Sequence, residues 1–185
     1  MANDVRVIAI DTALLLPESA NERAKSLNKG FWGADKTGFL FDSTHLPHIT
    51  LFQQFVRPDD LPRINNELGI ILNGMPSFIL RATQIIKPST TTHLIIEPNA
   101  VLQGLHERVC SGLKKFSQSL EDESAFYRER EVPRKNDIEW VKGYASKASF
   151  QNFNPHVTLG IGKPFELDAP IEFTASRIAV CQLGR

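Results

Sequence analysis

Pro47-His48-Ile49-Thr50-Leu51 and Pro155-His156-Val157-Thr158-Leu159 are two copies of one pentapeptide, 156 − 48 = 108 residues apart. Residues i and i+2 of a strand point to the same face. In each copy the histidine and threonine therefore project together, while Ile49 or Val157 and the closing leucine turn toward packing. A single His-x-Thr on a strand is more often a satisfied structural pair than a site. Two copies in 185 residues imply a duplicated unit folded back on itself, with two imidazoles and two hydroxyls facing one central cleft.

The pattern on either side of the motifs supports such a duplication. Val5–Ile10 is rich in β-branched residues and reads as a first strand. Ser19-Ala20-Asn21-Glu22 has the form of a capping box, opening a helix that ends near Gly30. Leu61, Ile64, Leu68, Ile71 and Met75 recur with helical period, as do Leu102, Leu105, Val109, Leu113, Phe116 and Leu120. Strands are expected over about 78–86, 93–97 and 156–161, with a last one near 171–183. The order is β-α-β-α-β, then β-α-β-β, an α+β pattern with its elements interleaved. Residues 1–185 read as one domain of two lobes. Glu121–Phe150, with seven acidic and six basic residues, reads as a surface loop or insertion.

The 21 basic and 21 acidic residues balance, which argues against a broad electrostatic grip on long nucleic acid. A nucleotide or a chain end suits such a chain better. The two cysteines, Cys110 and Cys181, lie outside any metal-binding spacing. The apolar stretch Val5–Leu16 is interrupted by Asp11 and reads as a buried strand rather than a signal peptide. The expectation is a cytoplasmic monomer with no membrane partner.

Two imidazoles and two hydroxyls suit phosphodiester chemistry. In-line displacement at phosphorus needs a base on the attacking oxygen and an acid on the leaving one, and histidine serves both near neutral pH. His48 and His156 are the catalytic candidates. Thr50 and Thr158 are the candidate donors to the non-bridging phosphate oxygens. No metal or other cofactor is required. For base stacking the candidates are Phe52, two residues beyond Thr50 and read equally well as core, and Trp140 and Tyr144 in the charged segment. His45 and His48 flank a proline at a strand start, without a carboxylate or cysteine to complete a metal site. His93 and His106 read as structural or solvent-facing.

At His48-Ile49-Thr50-Leu51 and His156-Val157-Thr158-Leu159 the sequence resembles the two-histidine (2H) phosphoesterase superfamily, and within it the 2'-5' RNA ligase-like group that includes RNA 2',3'-cyclic phosphodiesterases. The resemblance implies a bilobal, pseudo-twofold α+β fold, with antiparallel-rich sheets around a cleft lined by both motifs. It also implies metal-free opening of 2',3'-cyclic phosphates on RNA ends or nucleotides, or chemistry on 2'-5' linkages. By that likeness His156 is the base and His48 the acid, roles that exchange in the reverse reaction. Two other readings stay open: a nucleotide- or RNA-binding module without turnover, and an enzyme that joins RNA ends through 2'-5' links. The sequence departs from the group after the second motif. Gly160-Ile161-Gly162-Lys163 stands where many members carry a small residue and an arginine, with Lys163 a displaced substitute.

Overall fold

The computed structural model describes residues 6–31, 38–119, 123–127 and 135–184. Val5, Leu120 and the 121–122 and 128–134 parts of the charged segment lie outside them. Two antiparallel sheets share one apolar core. The first unit is β1 (Ile8–Leu15), α1 (Glu18–Phe31) and β2 (His48–Val56). After α2 (Leu61–Leu72) and β3 (Phe78–Ile86) comes a second unit, β4 (Thr92–Ile96), α3 (Ala100–Leu113) and β5 (His156–Gly160). In both units the motif strand pairs antiparallel with the strand that opened its own unit. Sheet order is β2-β1-β7 in one sheet and β5-β4-β3-β6 in the other.

The helices cross over. Helix α1 packs on β5 and helix α3 on β2, so each motif strand is backed by the helix of the other unit. Ile49, Leu51, Val157 and Leu159 are the buried side chains of the two motifs. At about 1.5–3 kcal/mol for each fully buried aliphatic side chain, they anchor both strands to the common core.

Several elements differ from the sequence expectations. Strand β1 starts at Ile8 and extends to Leu15. Helix α1 starts at Glu18, and the Asn21 N–H donates to the Pro17 carbonyl. Ser19 thus lies inside the first turn, because the Pro17 carbonyl, not Ser19, takes the first helical hydrogen bond. The single strand expected near 171–183 is two, β6 (Ile171–Ala175) and β7 (Arg177–Gln182). They pair in different sheets, β6 with β3 and β7 with β1, and only Ser176 separates them. Within the segment read as a loop or insertion, Lys135–Lys147 forms helix α4. Its Val141 and Tyr144 are buried, and it packs along β2, which ends its sheet.

Candidate active site

Each residue of the pentapeptide has a separate task in the fold. The residue before a proline is confined to extended conformations, which directs its carbonyl to the histidine that follows the proline. His48 Nδ1–H donates to the Leu46 carbonyl and His156 Nδ1–H to the Asn154 carbonyl, both at 2.7 Å. A carbonyl only accepts, so Nδ1 carries the proton in each ring and Nε2 is left for chemistry.

The leucine closes each motif with a bulge. Thr12 pairs with Phe52 and Ala13 with Thr50, so Leu51 is an extra residue in β2. Thr92 pairs with Gly160 and His93 with Thr158, so Leu159 is an extra residue in β5. A bulge shifts the alternation by one residue. Beyond Leu51 the site face therefore continues with Gln53, and Phe52, expected beside Thr50, turns into the core at 1% exposure. After Leu159 the chain turns through Gly160 at φ +137, a conformation that glycine readily adopts.

The surroundings of the two imidazoles differ. On β1, the Asp11 side chain is buried (2% exposed) and faces the first motif. Its Oδ2 accepts from Thr50 Oγ1 at 2.7 Å and from Gln53 Nε2 at 2.8 Å, and lies 3.4 Å from His48 Nε2. At that length the His48 contact is a charge pairing more than a hydrogen bond. Burial alone would lower the His48 pKa; the contact and charge of Asp11, helped by the Leu46 carbonyl, outweigh it and raise the value above the ordinary 6.5.

On β4, His93 stacks on His156 with ring centroids 3.9 Å apart and planes 7° from parallel. Thr91 Oγ1 holds His93 Nε2 at 2.8 Å. Burial, and then the neighbouring His156 charge, lower the His93 pKa to about 4, so this ring is neutral near pH 7. The His156 pKa is lowered as well, by burial first; the Asn154 carbonyl opposes this and the charge of His48 adds to it. The influence of His48 on His156 fits strands β2 and β5 lying in contact.

The four motif side chains are thus arranged on two touching strands. The Thr50 hydroxyl proton, expected on phosphate, goes to Asp11. Of the stacking candidates, Tyr144 (on α4) and Phe52 are buried and meet edge to face at 5.9 Å. Trp140 is 46% exposed and stands perpendicular to Tyr144 at 6.0 Å. His45 turns to Asp42 at 3.2 Å, away from any shared centre with His48. Lys163 is exposed in the turn beyond β5. Arg177 on β7 occupies the cross-strand row Arg177–Leu15–His48 and is exposed.

Sequence reasoning missed Asp11, Gln53, His93 and Arg177 as site neighbours. Asp11 did leave a trace: a carboxylate inside an apolar strand must find partners when buried. Nothing in the local sequence marks the other three.

A profile of the 2'-5' RNA ligase superfamily matches residues 19–183. The chain belongs to this superfamily. The match agrees with the likeness of the paired motifs to two-histidine phosphoesterases, and superfamily members are phosphoesterases and ligases acting on RNA or nucleotides. The fold is shared with the crystal structure of TT0787 of Thermus thermophilus, at TM-score 0.58 and 19% identity over 94% of this chain and 87% of that one. A search of curated proteins returns no match. Among the described residues of this superfamily member, no helix is long and apolar enough to cross a membrane.

Proposed function

We propose that this member of the 2'-5' RNA ligase superfamily opens 2',3'-cyclic phosphates on RNA ends or nucleotides by histidine acid–base catalysis. The observation that carries the reading is the opposite environment of two identically tethered imidazoles. His48, beside the Asp11 carboxylate, favours its charged form. His156, its pKa lowered by burial and then by the nearby charge of His48, favours its neutral form, with His93 stacked flat against it.

In the forward direction neutral His156 Nε2 takes a proton from water as the water oxygen bonds to phosphorus. The bond from phosphorus to one ribose oxygen breaks, and His48 Nε2–H protonates that oxygen. A phosphomonoester and a free hydroxyl result, with the proton moved from His48 to His156. Thr158, whose hydroxyl has no hydrogen-bond partner among the described residues, donates to a non-bridging oxygen. Thr50 does so only by exchanging Asp11 for the phosphate. Of the three rings considered for base stacking, Trp140 is the exposed one. With the 5'-hydroxyl of a second RNA end in place of water, the same ring opening joins ends. His156 takes the hydroxyl proton, the phosphorus bond to the 3' oxygen breaks, and His48 protonates that oxygen, leaving a 2'-5' link of the kind the superfamily's description names.

The test is hydrolysis of 2',3'-cyclic nucleotides and cyclic-ended oligoribonucleotides in excess chelator. Activity should persist and fall roughly 10²- to 10⁴-fold in His48→Ala or His156→Ala. Activity that disappears with chelator and returns with added zinc would overturn the mechanism.

A further inference from the structure

The carbonyls freed by the two bulges, Leu51 O and Leu159 O, leave their ladders in a buried setting, where a carbonyl left unpaired is destabilising. Each is caught by a buried polar side chain from the helix of the other unit. His106 on α3, fully buried at 0% exposure, donates Nδ1–H to Leu51 O at 2.8 Å. Asn28 on α1, 1% exposed, donates Nδ2–H to Leu159 O at 2.6 Å.

Each of these side chains also holds the backbone that leads into the opposite motif. His106 Nε2 accepts the Phe150 N–H at 2.8 Å, six residues before His156. Asn28 Oδ1 accepts the Phe41 N–H at 2.9 Å and its Nδ2 donates to Phe39 O at 3.0 Å, in the segment entering the first motif. All the ring nitrogens of His106 and the amide atoms of Asn28 are thereby used. His106 is a neutral imidazole with Nδ1 protonated, and Phe153 stacks on it at 3.8 Å and 3°.

The turn at Phe150 adds an independent sign of constraint. Phe150 is held at φ +57, a left-handed conformation that is unusual for a bulky residue. Such strain persists where surrounding bonds over-determine the backbone. His106 supplies one of those bonds, and Gln103 Nε2–H, donating to the Phe150 carbonyl at 3.0 Å, supplies another.

We infer that Asn28 and His106 are a matched pair of positioning residues, each clamping the bulge of one motif to the approach of the other and so fixing the separation of the two imidazoles. The inference rests on the acid–base reading of His48 and His156. Neither residue touches the reacting atoms. Their effect is geometric, and displacing a reacting group by about 1 Å can cost roughly 10²-fold in rate.

The experiment uses the full chain with His106→Leu, His106→Gln and Asn28→Leu. Leucine removes the polar contacts and keeps apolar volume. Glutamine keeps a donor for Leu51 O and an acceptor for the Phe150 N–H. On a 2',3'-cyclic nucleotide, the leucine variants should lose roughly 10- to 100-fold in kcat with KM within about threefold, and His106→Gln should recover most of the loss. In the substrate-free protein, the imidazole C–H resonances of both His48 and His156 should shift in either leucine variant. A folded leucine variant with unchanged kcat, or with only one motif histidine shifted, overturns the clamp. Should the leucine variants not fold, Asn28→Asp decides: it keeps the acceptor for Phe41 and loses the donor to Leu159 O. Shifts at both histidines support the clamp, and unmoved resonances overturn it. The resonances need no turnover, so failure to cleave cyclic phosphates would refute the functional reading and leave the clamp tested on its own.

Discussion

The surroundings of His48 and of His156 make the instructive comparison. Both rings are tethered through Nδ1 to the carbonyl of the residue before a proline, at the same 2.7 Å. Both strands end their motif in a bulged leucine backed by the other unit's helix. The strand alongside then breaks the symmetry: β1 places a carboxylate by His48, and β4 places a second imidazole flat against His156. The His48 pKa moves up and the His156 pKa moves down. A duplicated scaffold thus provides equivalent geometry, while the different surroundings of the two halves move the two imidazoles in opposite directions, as the proposed acid and base require.

The threonines test the comparison with the largest effect. Thr158→Val should lower kcat/KM roughly 10²-fold, the scale for removing one oxyanion donor. Thr50→Val should cost clearly less, because its proton goes to Asp11. Steady-state kinetics on a 2',3'-cyclic nucleotide measure both, and equal losses would show that the halves bind phosphate alike.

Asp11→Asn tests the acid side. The activity bell should have its acidic limb below pH 6.5, where His156 becomes protonated, and its basic limb above 6.5, where His48 loses its proton. Without the carboxylate, burial remains to lower the His48 pKa. The basic limb should then move to lower pH, with a loss of about tenfold above neutrality and little change at the acidic limb.

His93 produces the smallest effect, on stability. Its folded pKa, about 4, lies below the unfolded 6.5. Between those values the unfolded chain binds the extra proton, so stability is lost as pH falls from 6.5 toward 4. Thermal unfolding followed across that window should show a shallower pH dependence in His93→Phe, which keeps a flat ring against His156.

These contrasts also mark what could be read from sequence. The 3.6-residue spacing of Leu102, Leu105, Val109 and Leu113 reported a helix because its buried face is made of those residues. The alternation within each pentapeptide reported which side chains share a face. The bulges were not legible, since they arise from ladder accounting between two strands and leave no mark in one. Phe52 was set on the Thr50 face for that reason, and its reading as core is the one that holds. Helix α4 was hidden because its buried Val141 and Tyr144 sit among charged neighbours. The exchange of sheets at Ser176 carries no glycine or proline to announce it. His93 became a site residue through pairing with Thr158, a contact across 65 positions of chain (158 − 93) that no local pattern contains.

Titration of the two motif histidines in the wild-type protein, followed by their imidazole C–H resonances, tests the division of roles most directly. His48 should titrate above pH 6.5 and His156 below it. Coincident values, or His156 above His48, would contradict the account.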